Sequence, residues 1–425
     1  MQRGEKGELS LNDSGQWETK VMSSQNADNF TIETMSWLEA AKLKDRQALG
    51  QFMTPRFLRE HLLNQLNFKP GDRVLDPAVG TGEFLKQAKD LCPELHLFGW
   101  DVDPKILEVA KKIVPTANLA SRSALEEYKG EQFDFVIGNP PYFELKLDAK
   151  LKSKYGEVVS GRANIFGLFF KCGIDALKPG GTLAYVVPPS MNAGAYFKKL
   201  RDFLTLHNHI VSLKIFNDPK LFIDAQTSVQ IIVVRKGEGK SSNVFEVVDQ
   251  HSGFKSTILC EDPDKLGKMY KESVSLHSLG YEAVTGTTVW NQHKDKLVNE
   301  EDSSTVPLLY ARNIVDGGIS LNPDTRRPQY IKNARYFTGQ AIVVNRIIGG
   351  VGVGVIKAAL IPEGFNFAAE NHLNVIRPIQ GAHQKVNFKK LFELITAPGI
   401  VEKARALTGN TQLSAREWTY LMPIA

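Results

Sequence analysis

Cysteine is scarce in this sequence: three in 425 residues, at Cys92, Cys172 and Cys260. They are widely spaced, odd in number and free of any CxxC pair, which argues against a disulfide scaffold and against a zinc module. Long apolar runs are also missing. No stretch reaches the roughly 18 apolar residues of a membrane span, and the opening residues carry no apolar signal-peptide core. The expected setting is a reducing cytoplasm, away from membranes. Net charge is small too, since 52 basic minus 47 acidic residues leaves +5. Its distribution says more: from Val306 onward there are 14 Lys/Arg against 7 Asp/Glu, or +7, so the remainder sums to −2. A regional excess of this kind is what a basic face for a polyanion would leave. Hydrophobic residues at 42% and charged residues at 23% are an ordinary globular balance. The length suggests about two or three domains.

The first 45 residues read as a polar, loosely ordered extension ending in a short helix around Ile32–Leu43. From there to about residue 240, short apolar runs alternate with amphipathic stretches. The runs are Arg73–Leu75, His96–Trp100, Phe133–Gly138, Thr182–Val187, His209–Phe216 and Val229–Val234. Helical patterns lie at Phe84–Leu91, Lys105–Ile113 and Phe166–Leu177, and Asp103-Pro104 reads as an N-cap with proline at the first helical position. Alternation of this sort implies a mainly parallel sheet, with the last two runs forming an antiparallel hairpin. Lys236–Asn243, rich in Gly, Ser and charge, marks a domain boundary. Beyond it, in residues 241–425, β-prone runs at Ala341–Val344 and Gly352–Ile356 mix with turns, and helical patterns appear at Lys389–Thr396 and Ile400–Leu407.

Two motifs carry chemistry. In Val74-Leu-Asp-Pro-Ala-Val-Gly-Thr-Gly-Glu-Phe-Leu85 a strand enters a glycine turn and then a helix, so backbone can approach a ligand closely. Leu85 stands where a dinucleotide fingerprint has its third glycine, which weakens a nicotinamide reading. Asp76, at the strand end, is placed to accept from a cationic amino group. Asp101, about 20 residues after the glycines, suits the two hydroxyls of a ribose. Either acid alone reads equally well as a turn or helix cap; the pair in this order favours a nucleoside site. The second motif, Asn139-Pro-Pro-Tyr142, directly follows the apolar run Phe133–Gly138. Two prolines cannot continue a central strand. They aim the Asn139 amide and the Pro140 carbonyl as converging acceptors beside an aromatic ring, an arrangement suited to a planar amino group.

These residues, in this order, resemble the gamma-class, TaqI-like DNA N6-adenine methyltransferases, over most of the chain. The resemblance implies an α/β fold: a Rossmann-like class I methyltransferase domain over 46–240, a mixed α+β target-recognition domain over 241–425, and S-adenosylmethionine as cofactor. Gln51-Phe-Met-Thr-Pro55 is similar to the family's leading cofactor motif. By the same resemblance, the cofactor is contacted by Thr54, Asp76, Ala78, Gly80, Asp101, Val102, Asn139 and Pro141, and by Ser123 at a position where the family often has Asp. Asn139 and Pro140 hold the target amino group. Tyr142 and Phe222 sandwich the flipped base, with core packing a rival role for Phe222. Lys178-Pro-Gly-Gly-Thr matches the strand after the catalytic region, and Val306–Asn313 and Glu370–Asn374 are similar to the family's target-recognition segments.

The implied activity is site-specific adenine-N6 methylation of double-stranded DNA (EC 2.1.1.72), by direct transfer without a metal, in a restriction-modification system or by a solitary enzyme. Cytosine-C5 chemistry needs a cysteine nucleophile, typically after proline, and no Pro-Cys occurs. Arg312, Arg326, Arg327 and Arg346 are candidate DNA contacts. Lys146, Lys150, Lys152 and Lys154 in Phe143–Arg162 admit two readings, a loop closing on phosphate or a solvated lysine-rich loop. The expected partners are duplex DNA and a separate restriction endonuclease, with the chain a monomer on DNA. The rival readings are a protein-glutamine or RNA-base methyltransferase using the same Asn-Pro-Pro-Tyr turn, and an inactive DNA-binding subunit.

Overall fold

The computed structural model describes residues 8–11, 17–20, 29–48, 50–130, 132–159, 161, 163–218, 222, 228–249, 251–271, 273–321, 327–346, 355–409 and 413–424. Arg326 and the glycine-rich stretch 349–354 lie outside them. Seven strands build the principal sheet: β1 (Arg73–Asp76), β2 (His96–Asp101), β3 (Asn118–Ser121), β4 (Phe133–Gly138), β5 (Leu177–Val187), β6 (Asn208–Phe216) and β7 (Val229–Lys236). Their hydrogen-bonded order is β6-β7-β5-β4-β1-β2-β3. Neighbours from β5 through β3 run parallel, and β6 pairs antiparallel with β7, with a bulge between Ile210 and Ser212. Such an α/β sheet, mainly parallel and closed by an antiparallel hairpin as the alternating runs imply, is the Rossmann-like class I arrangement that the resemblance implies.

The strands are short and apolar because helices cover both faces of a parallel sheet. Val74, Leu75, Val136 and Ile137 are fully buried. Two amphipathic helices provide the early crossovers, α4 (Glu83–Leu91) and α5 (Pro104–Ile113), after α1 (Ile32–Ala40), α2 (Leu43–Ala48) and α3 (Arg56–Leu63). The Asp103 carboxylate accepts from the Lys105 N–H at 2.9 Å with Pro104 in the first turn, as the sequence signals. Chain progression runs β1, β2, β3 outward on one side, then returns to β4 on the other side of β1. The carboxyl ends of β1 and β4 therefore flank a topological switch point, where ligands of such sheets bind.

By compactness the chain divides into Met1–Phe143, Cys172–Val186 and Leu221–Ala225 as one unit and the remaining residues as another. In the first, a two-stranded antiparallel ribbon pairs Glu8–Leu11 with Trp17–Lys20. Helix α1 is no loose appendage: Thr34 is fully buried, and its hydroxyl donates to Glu83 Oε1 at 2.7 Å.

In the second unit, the lysine-rich segment is not an open loop. Glu144–Leu145 pairs with Ala163–Asn164, and α6 (Ala149–Tyr155) forms between them, capped by Asp148. Tyr155 is buried while Lys146, Lys150, Lys152 and Lys154 stay exposed. The buried Arg201 guanidinium donates to the carbonyls of Met191, Gly194 and Thr257 at 2.7–2.8 Å. Burial pushes its pKa down to about 10. The Gly/Ser break after β7 is pinned to β6, with Ile210 N–H donating to Ser241 Oγ at 3.0 Å.

Further along, β8 (Val244–Asp249) pairs with β9 (Phe254–Leu259). A four-stranded sheet then orders β10 (Tyr281–Thr285), β16 (Leu373–Pro378), β13 (Ala341–Asn345) and β14 (Ala358–Ile361). Another sheet contains β11 (Thr305–Leu309) between β12 (Tyr330–Lys332) and β15 (Asn366–Ala369). The strand expected at Gly352–Ile356 does not appear at its described positions: Val355 and Ile356 precede β14, which starts at Ala358. The two helices expected near the C-terminus form at Phe388–Ile395 and Ile400–Thr408. Among the described residues no helix is long and apolar enough to cross a membrane.

Candidate functional site

Asp76 ends β1 with a side chain almost wholly out of solvent, 1% exposed. Its Oδ1 accepts from the Ala78 N–H at 3.0 Å. Burial pushes its pKa up to about 8, the Ala78 bond opposes this, and nearby Asp101 adds to it. A cation or ammonium group brought beside it would favour the ionised carboxylate, because the attraction of the pair is little screened in the dry surroundings.

Asp101 closes β2, and both of its oxygens are used. Oδ2 accepts from Gly80 N–H at 3.1 Å and Oδ1 from Asp103 N–H at 2.9 Å. With Val79 N–H donating to Trp100 O at 2.9 Å, the glycine turn is zipped onto the end of β2. Gly80 and Gly82 take φ of 53° and 91°, the left-handed region that favours glycine. Ala78 and Gly80 are half-buried, whereas Val102 is 60% exposed, a flat apolar side chain beside the turn. Ser123, just past β3, is half-buried, and its hydroxyl accepts from Leu125 N–H at 3.2 Å, so it caps a turn.

At the end of β4, Asn139 Nδ2 donates to Phe52 O at 3.1 Å. Its Oδ1 meets the Tyr142 hydroxyl, which also reaches Val186 O at 2.8 Å. That hydroxyl has a single hydrogen between two acceptors. When it is given to Val186 O, Asn139 Oδ1 keeps its lone pairs for another donor. Pro140 is buried and Pro141 half-buried. Burial raises the Tyr142 phenol well above its ordinary pKa, so the group stays neutral. The hydroxyl end of the Tyr142 ring is thereby anchored.

Three residues that the sequence reading did not single out assemble this geometry. Gly138, φ 141°, lies so near Asp76 that a Cβ there would sit 2.6 Å from Oδ1. Gly50, φ 66°, packs on the proline turn, where a Cβ would be 2.9 Å from Pro141 Cβ. Arg59, 3% exposed, donates to Thr54 O at 2.6 Å and to Gln87 Oε1 at 2.9 Å, and its guanidinium pairs with Glu83 at 3.2 Å. Burial lowers its pKa and Glu83 lifts it. Thr54, itself buried, is thus held from its carbonyl. Glycines before a motif residue and an arginine five residues past Thr54 were the signals available.

Phe222 is 6% exposed, and its immediate neighbours lie outside the described residues. Of the expected basic contacts, Arg312 stacks over Tyr310 at 4.7 Å and donates to Arg327 O at 2.7 Å. Arg327 lies over Trp290 at 5.1 Å. Arg346 donates through Nη1 to Asn371 O at 3.2 Å. Among the described residues no group of three or more His, Cys, Asp or Glu could hold a metal ion.

Residues 102–222 match the Eco57I restriction-modification methylase family. The chain is 24% identical over 358 residues to the modification methylase CviBIII of Paramecium bursaria Chlorella virus NC1A, covering 83% of this chain and 89% of that one. It is 26% identical over 319 residues to the Type II methyltransferase M.CvrRI of Paramecium bursaria Chlorella virus XZ-6E, covering 75% and 80%. A solved structure, the type I restriction-modification system methyltransferase subunit from Streptococcus thermophilus, is 19% identical with a TM-score of 0.41, covering 52% of each chain. At that score the strand order, and not the superposition, carries the fold.

Proposed function

We propose that this chain, a methyltransferase of the restriction-modification type that uses S-adenosylmethionine, methylates the N6 amino group of adenine in duplex DNA. The supporting observation is the juxtaposition across the switch point. The carboxyl of Asp76 abuts Gly138, and the next residue, Asn139, carries an acceptor for an amino group.

The residues suit the cofactor. Asp76 is a buried carboxyl for its amino group, the Gly80–Gly82 turn admits close approach, and exposed Val102 offers an apolar surface beside Asp101. When bound, S-adenosylmethionine supplies a methyl group on a positively charged sulfur that leaves with the bonding electrons. The chain's own part is to present the nucleophile. Adenine N6 has its lone pair delocalised into the ring, so Asn139 Oδ1 and the Pro140 carbonyl would accept its two N–H groups. These bonds favour a pyramidal nitrogen and stabilise the positive charge developing on it. Alignment of nitrogen and methyl contributes up to roughly 7–11 kcal/mol. Extruding the base costs a few kcal/mol, and stacking on Tyr142 or Phe222 returns about 1–3 kcal/mol.

Residues 46–240 then act as the catalytic domain and 241–425 as the target-recognition domain, on DNA as a monomer, with any restriction endonuclease a separate chain. The test is transfer of labelled methyl from S-adenosylmethionine to duplex DNA by the purified chain, alongside Asn139→Ala. Label in DNA with the parent and none with the variant supports the reading. Label confined to protein or RNA contradicts it.

A further inference from the structure

The turn joining β15 to β16 contains a buried acid that grips an exposed histidine. The Glu370 side chain is 4% exposed and that of His372 is 54% exposed. His372 Nδ1 lies 2.7 Å from Oε1 and 2.9 Å from Oε2 of Glu370, and Oε2 also accepts the His372 backbone N–H at 2.9 Å. The turn is tied down on three sides. Glu370 N–H donates to Leu309 O at 3.0 Å, Asn371 N–H to Thr288 O at 3.0 Å, and Arg346 N–H to His372 O at 2.8 Å.

Both flanks of that turn carry cations on aromatic rings. Leu309 leads into Tyr310, which bears Arg312, and Arg312 is bonded to Arg327 O. Thr288 leads to Trp290, whose ring has Lys294 at 5.8 Å and Arg327 at 5.1 Å. An arrangement of Arg and Lys held on aromatic faces around a projecting polar side chain is suited to a duplex, with cations on phosphates and the central group toward base edges. The ring nitrogens of His372 are not equivalent. In the tautomer that donates from Nδ1 to the Glu370 carboxylate, Nε2 keeps a lone pair. Such an acceptor cannot bond a phosphate oxygen. It can accept from an exocyclic amino group, cytosine N4 or adenine N6, in the major groove.

We propose that His372 is a specificity-determining residue that accepts from a base amino group other than the one methylated, with Glu370 as its positioning residue. This rests on the DNA-methyltransferase reading above. The Arg312–Arg327 pair supplies backbone contacts beside it.

The experiment maps methylated sites by single-molecule sequencing of DNA from a host expressing the parent chain, His372→Ala or Glu370→Gln. It also measures the affinity of each purified protein for a duplex bearing the mapped site at several salt concentrations. His372→Ala, at an exposed ring, should melt with the parent. It should tolerate several bases at one site position and lose roughly 5- to 150-fold in affinity, the range of one good base contact. The slope of log affinity against log salt should not change. Glu370→Gln should relax the same position to a smaller degree. Arg327→Ala should instead lower the slope by about 0.9 with the site intact. An unchanged site in His372→Ala, or a lower slope with an intact site, overturns the proposal. Absence of any methylated DNA with the parent chain overturns the enzyme reading beneath it, which sequencing of the parent alone reveals.

Discussion

Gly138 stands against Asp76 so closely that a methyl group on its α-carbon would lie 2.6 Å from the carboxylate oxygen Oδ1. Its φ of 141° also belongs to a region that side chains rarely adopt. One residue thus sets the distance between the acid at the end of β1 and the Asn-Pro-Pro turn at the end of β4. Gly138→Ala should cost about 1–3 kcal/mol through strain at that backbone. S-adenosylmethionine affinity should fall as well, because Asp76 is pushed aside. Thermal unfolding and calorimetry read the two effects, and an alanine variant with parental values for both would refute the steric argument.

Asp76 links the site to pH. Its carboxyl is lifted from 3.8 to about 8 by burial, so the native chain holds a proton there that the unfolded chain has released. Because the folded state binds the extra proton between those values, this group's contribution to stability falls as pH rises from about 4 through about 8. Asp76→Asn should therefore gain melting temperature relative to the parent at pH 9 and show little difference at pH 4. Equal differences at both pH values would count against a buried, proton-holding Asp76. In the parent, binding of a cationic amino group should release a proton near pH 7, seen as a buffer-dependent calorimetric enthalpy.

Tyr142 combines two roles that substitution can separate. Tyr142→Phe keeps the ring and removes the hydroxyl from between Asn139 Oδ1 and Val186 O. The loss should be about 1 kcal/mol of stability, typical of one hydrogen bond, with methyl transfer retained. Tyr142→Ala should weaken DNA binding by about 1–3 kcal/mol if the ring stacks on the base. Equal DNA affinity in the parent and the alanine variant would remove Tyr142 from base recognition.

The Arg59–Glu83 pair is a structural brace. Glu83 also accepts from the Thr31 hydroxyl at 2.9 Å and the Thr34 hydroxyl at 2.7 Å, so helices α1, α3 and α4 meet on one carboxylate. Glu83→Ala strands the buried guanidinium and should cost about 3–5 kcal/mol. Denaturant unfolding measures it, and a loss below 1 kcal/mol would show that the pair is not the brace.

The site was legible where chemistry is local in sequence. The run Val74–Asp76 with its glycine turn, the Asp103-Pro104 cap and the Asn-Pro-Pro turn after Phe133–Gly138 all appear where the pattern placed them. What escaped is made by long-range packing. Arg59 finds Glu83 across 24 positions, and Gly138 is required by a side chain 62 positions earlier. Periodicity carries no trace of either. Charge alone also gave no sign that the Arg346 guanidinium donates to a backbone carbonyl, and it hid α6 within the lysine-rich segment, where Tyr155 supplies a buried anchor. Strand β5 begins at Leu177 rather than Thr182, carrying Lys-Pro-Gly-Gly within it, because Phe133 pairs with Leu177 ahead of a register shift.

Duplex DNA incubated with the purified chain and S-adenosylmethionine, then digested and resolved by mass spectrometry, gives the modified nucleoside directly. Two acceptors at Asn139 and Pro140 beside an aromatic ring suit an exocyclic amino group, and the account expects N6-methyladenine alone, absent with Asn139→Ala. N4-methylcytosine, or unmodified DNA beside methylated protein or RNA, would contradict it.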